Sequence, residues 1–89
     1  MDLKAAVAKY LEVVGEFGRP MPLNQFGLAR EATEAMVEAW EEDYQLHRHL
    51  ELIPASGGAS GQTSESAYVV AGRAYTAVVL RSSIRDVIE

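Results

Sequence analysis

Leu3, Val7, Tyr10, Leu11, Val14 and Phe17 recur at three- and four-residue spacing, which predicts a first amphipathic helix with one apolar stripe. Asp2 stands where an N-cap belongs, and Gly15 with Gly18 marks the stop. Arg19-Pro20-Met21-Pro22 then reads as an extended connector, because each proline disfavours helix in the residue before it. Residues 23–28 have room for one or two helical turns, with Phe26 and Leu28 as the expected anchors. A third, longer helix is expected from Ala29 or Arg30 to about Tyr44. Across 31–47, Glu31, Glu34, Glu38, Glu41 and Glu42 fall on one side, and Ala32, Ala35, Met36, Ala39 and Trp40 on the other. Glu31 and Glu34 also sit near its N-terminus, where the helix macrodipole favours carboxylates.

The period changes after this helix. Residues 47–53 read as a strand with Leu46, Leu50 and Leu52 on one face, or as a continuation of the helix; Pro54 ends either. Residues 54–66 are small and polar throughout, the composition of a flexible loop. Residues 67–71 and 75–80 are rich in β-branched side chains and joined at Gly72-Arg73, which predicts a tight hairpin. Ser83-Ile84-Arg85-Asp86 has the form of a capping box with Asp in place of Glu, opening a short helix that carries Ile84, Val87 and Ile88. The expected fold is a single α+β domain over residues 1–89. Three N-terminal helices precede a small three-stranded antiparallel sheet and a short C-terminal helix.

This order resembles the winged helix-turn-helix superfamily, in which three helices precede a β-hairpin whose connecting loop is the wing. The resemblance spans residues 3–81 and is one of pattern, without a diagnostic motif. It implies that the third helix would enter the major groove of DNA and that the wing, 54–66, would touch the backbone. Both elements carry the wrong charge for that task. The helix presents Glu31, Glu34, Glu38, Glu41 and Glu42, and the wing contains Glu65 but no Lys or Arg. An acidic surface opposes phosphate. Arg19, Arg30, Arg48, Arg73, Arg81 and Arg85 lie elsewhere, and the sequence gives no sign that they converge.

Net charge sharpens the point. The chain carries −5, and six of its thirteen acids lie between Glu31 and Asp43; the rest holds seven acids against eight basic residues. The acidity is therefore local, a better clue to a partner than a global isoelectric point.

Three candidate chemistries can be weighed. His47, His49 and Glu51 would share one face of a strand and could hold zinc, but a third nitrogen or sulfur ligand is missing and paired strand histidines are commonplace. Gly57-Gly58-Ala59-Ser60-Gly61-Gln62-Thr63 lacks the lysine, spacing and following helix of a phosphate-binding loop. The serines have no base at a recognisable spacing, so no nucleophile is set up for catalysis. Asp43 stands apart from the acidic stripe. On the helical wheel it falls within the apolar arc, where a buried carboxylate would need backbone hydrogen bonds or Arg48 to brace the helix-to-strand junction. Read functionally instead, Asp43 would form a site with Tyr44 and the histidines.

With 48% hydrophobic and 24% charged residues the composition is that of a globular domain. Absence of cysteine excludes disulfides and thiolate chemistry and fits a reducing compartment. The N-terminal residues do not read as a signal peptide, and no apolar run is long enough to span a membrane. The expectation is a cytoplasmic, non-enzymatic protein-interaction or assembly module without a cofactor, self-association being one form of it. DNA-binding regulation is the alternative. Apolar surface left over on the sheet or the terminal helix would suit an interface.

Overall fold

Asp2 opens helix α1 (Leu3–Val14): its Oδ1 accepts the Ala5 N–H at 2.8 Å. Gly15, at φ +82°, closes the helix in the left-handed conformation that favours glycine and returns its N–H to the Leu11 carbonyl. Ala6, Val7 and Tyr10 are buried, and Leu3, Leu11, Val14 and Phe17 are partly buried against the core, as the spacing predicts. The computed structural model describes residues 1–55 and 67–88. Most of the expected flexible loop therefore lies outside the described residues.

The proline-rich connector is a strand. β1 (Pro20–Pro22) pairs antiparallel with β4 (Arg73–Leu80), with Met21 opposite Val78 and completely buried. Prolines fit here because alternate residues of an antiparallel pair turn their backbone groups to opposite edges. The Arg81 N–H donates to the His49 carbonyl, across β4's other flank. Counting back from there, Met21 and Val78 face each other and the prolines face outward, where a missing N–H costs nothing. A 3₁₀ turn (Leu23–Phe26) follows, anchored by buried Leu23 and Phe26 with Leu28 only partly covered.

Helix α2 (Arg30–Glu42) buries Thr33, Met36, Val37 and Trp40. This corrects the expected inner face: Met36 and Trp40 are on it, but Ala32, Ala35 and Ala39 are exposed. An alanine gains little by burial, so the larger Val37 decides the rotation. Thr33 tolerates burial because its hydroxyl donates to the Ala29 carbonyl at 3.1 Å.

The sheet has four antiparallel strands where three were expected. β4 is central; β2 (Leu50–Pro54) lies on one flank, and β1 and β3 (Tyr68–Val70) lie end to end along the other. Pro54, expected to open the loop, is the last residue of β2, and Ala55 continues the ladder by donating to the Ala74 carbonyl at 2.9 Å. β3 and β4 form the predicted hairpin, turning through Ala71 and Gly72, both at positive φ. That backbone matches the right-handed twist of paired strands.

A 3₁₀ turn (Ser82–Ile84) and α3 (Arg85–Ile88) end the described chain. Ile84 is completely buried, Ile88 is partly covered and Val87 is exposed. Instead of closing a capping box, the Ser83 hydroxyl meets His49 Nδ1 at 2.7 Å. The core gathers Tyr10, Met21, Leu23, Phe26, Val37 and Trp40 against Leu50, Val78, Leu80 and Ile84. Among the described residues no helix is long and apolar enough to cross a membrane.

Candidate functional site

The connector from α2 to β2, residues 43–49, is where chemistry-bearing side chains collect. It is neither strand nor continued helix, but a run of turns in which Leu46, His47, His49 and Leu50 donate N–H groups to carbonyls three or four residues back. Buried Leu46 pegs this run to the core. Asp43 starts it. Helix α2 stops at Glu42, so Asp43 is its C-cap, exposed and extended at φ −94°, and its carboxylate accepts the Gln45 N–H at 2.9 Å.

Burial of Asp43 in the apolar arc is therefore corrected. The wheel argument held only while the helix continued, and one residue of extended backbone turns the carboxylate to water. Among the described residues the Arg48 side chain forms no ion pair with it; the Arg48 carbonyl accepts the Arg81 guanidinium at 3.0 Å. The hydrogen bond at Asp43 is the one its carboxylate accepts from the Gln45 backbone N–H.

Tyr44 stands out of this connector, 85% exposed. Its ring meets His47 edge-on, centroids 5.5 Å apart, and His47 is held from behind by donating Nε2–H to the Glu41 carbonyl at 2.5 Å. Tyr44 and Gln45 form the shared wall of two open depressions. One, of about 470 Å³, is lined also by Arg48 and His49; the other, of about 570 Å³, by Ala39, Glu42 and Asp43. The first is basic and the second acidic.

His47 and His49 precede β2, so period-two alignment with Glu51 does not apply to them, a second correction. Each of the three has a separate partner: the Glu41 carbonyl for His47, the Ser83 hydroxyl for His49, and Arg81, at 3.4 Å, for Glu51. Among the described residues no group of three His, Cys, Asp or Glu side chains could hold a metal.

The acidic stripe divides in two. Glu31, Glu38 and Glu42 are exposed. Glu34 and Glu41 lean toward the sheet, where Glu34 accepts the Val69 N–H at 2.9 Å and Glu41 accepts the Tyr75 hydroxyl at 2.8 Å. One turn before Glu34, Arg30 donates to the Ala67 carbonyl at 2.5 Å and lies over the Tyr68 ring. Together these two side chains occupy the outward backbone groups of Ala67 and Val69, as a neighbouring strand would. That closes the β3 edge to further pairing. Sequence reasoning missed this role, since nothing local to Glu34 reveals a strand 35 residues away.

Burial of Tyr75, and next its hydrogen bond to Glu41, raise the phenol above its usual range, with Arg73 opposing. A proton held more tightly by the folded chain stabilises it fully below about pH 10, and that contribution is lost as pH rises from there through the folded value. Urea denaturation across about pH 9 to 11 should show a steeper loss of stability in the parent than in Tyr75→Phe. Parallel curves would mean that neither burial nor the Glu41 contact holds the phenol neutral.

The basic residues do not pool. Arg19 meets Glu16 and the Val14 carbonyl, Arg30 the β3 edge, Arg81 Glu51, and Arg85 the face of Phe17. Arg73 meets the Tyr75 hydroxyl, and the Arg81 guanidinium also donates to the Arg48 carbonyl. Comparison with protein-family models, with curated proteins and with solved structures finds no match for this chain.

Proposed function

We propose that this chain is a non-enzymatic protein-interaction module whose contact surface is the Tyr44 connector. The observation that carries the reading is Tyr44 itself: a large aromatic almost wholly in water, propped by His47 and flanked by two depressions. Aromatic side chains of this kind are favoured anchors at protein interfaces, because one rigid ring supplies much contact area for little conformational entropy. Exposed as it is, the ring gains little from folding and is free to meet a partner.

A winged-helix DNA-binding regulator is the second reading. Connectivity favours it: a helix, a short strand, a helical turn and a helix lead into a sheet ordered β1-β4-β2. Electrostatics oppose it. Glu31, Glu38 and Glu42 line the exposed side of the helix that would enter the groove, and the arginines are scattered over separate partners.

A photo-crosslinking residue at position 44, with a control at Glu38, separates the two readings in the cell that makes the protein. Protein adducts at 44 that are absent at 38 are expected, together with no salt-sensitive binding of labelled duplex DNA at about micromolar concentrations. Equal yields at both positions would overturn the choice of surface. Micromolar duplex binding that weakens steeply with salt would restore the regulator.

A further inference from the structure

Resting on the interaction reading above, we infer that the partner docked on the Tyr44 surface is a second copy of this chain, related by a two-fold axis beside the Tyr44 ring. An isologous contact places one patch on itself, so whatever residue i meets on j, residue j meets on i. A patch of a single sign repels its own copy. This one is divided: Arg48 and His49 line the depression on one side of the Tyr44–Gln45 wall, Glu42 and Asp43 the depression on the other. A half-turn about the wall lays each basic half over the partner's acidic half, forming two equivalent Arg48–Glu42 pairings around the central aromatic rings.

Two further features suit this occupant. The Arg48 and Glu42 side chains are exposed and engage no other side chain among the described residues, so pairing across the axis breaks no internal ion pair. Strand addition at a sheet edge, another route to a symmetric dimer, has little free edge to use. Arg30 and Glu34 occupy the edge of β3. On β2 the Leu50 N–H is taken by the Leu46 carbonyl and Pro54 has no N–H to offer, which leaves Leu52 alone between them with outward backbone groups.

Sedimentation equilibrium of the full chain from about 10 μM to about 1 mM tests the assignment. The parent should form a reversible dimer. Arg48→Glu and Glu42→Lys, both at exposed positions, should each keep the parent melting temperature and weaken association about 100-fold, since each sets like charges opposite one another. Mixed in equal amounts, the two variants should recover the dimer, because the heterodimer contains a reversed pair and a native pair and no like-charge contact. Single variants that remain as dimeric as the parent would overturn this surface while leaving self-association in place. A parent that stays monomeric while position 44 still crosslinks to a different protein would overturn the second copy and leave the interaction reading standing. Absence of both would sink the two together.

Discussion

Val37→Asp should abolish folding, whereas Ala35→Asp, two residues earlier on the same helix, should leave stability within about 0.5 kcal/mol of the parent. Val37 is completely buried between α2 and the sheet, and Ala35 is exposed. A carboxylate forced into the Val37 position loses its hydration and gains no partner, a cost of several kcal/mol. A domain of this size has only about 5 to 10 kcal/mol of stability to lose. Circular dichroism with urea denaturation reads both variants directly. Tolerance at 37 with collapse at 35 would mean that α2 is rotated to bury the alanines.

That rotation marks the boundary of what could be read from the chain. The apolar stripe of α1 was legible because its members are large and both ends carry caps: Leu3, Val7, Tyr10 and Leu11 admit one inner face, and Asp2 and Gly15 fix the length. In α2 the same method met three alanines, which are equally at home in water and in the core, and a threonine whose burial depends on the Ala29 carbonyl. The wheel placed Met36 and Trp40 on the inner face and the alanines wrongly beside them, and it carried Asp43 inward by running the helix one residue too far. Proline misled in the other direction. Pro20 and Pro22 argue against a strand until it is known to lie at an edge with their nitrogens outward, and that requires the partner strand more than fifty residues later.

The site was legible in part for the same reason. Local pattern brought Asp43, Tyr44, Arg48 and the two histidines to attention as neighbours. It could not show that the connector is a run of turns, and only that geometry thrusts Tyr44 into water and sends His47, His49 and Glu51 to separate partners. Glu34 and Glu41 were grouped with the solvated acids because charge alone is visible in a sequence. Their partners, the Val69 amide and the Tyr75 hydroxyl, come from the opposite end of the chain.

Tyr10→Phe should cost about 1 to 2 kcal/mol, more than any change of a single hydroxyl on the surface. The Tyr10 ring belongs to the apolar stripe, but its hydroxyl does two further things. It donates to the Arg19 carbonyl and accepts the Arg19 N–H, at 3.0 Å in the second case. One side chain thus holds both backbone groups of the residue that leads into β1. Phenylalanine keeps the packing, including the stack on Phe17 at 6.2 Å, so the loss isolates the hydroxyl. Arg19 lies near solvent, which lets water replace part of what is lost and sets the upper bound. The effect should also be local: amide exchange at Met21 should quicken beyond what the global change explains, because β1 is only three residues long and loses its tether to α1. Tyr44→Phe, an exposed ring with the same chemical change, should shift stability by less than about 0.5 kcal/mol. Equal, small effects for the two variants would show that β1 is held by Met21 and the sheet alone.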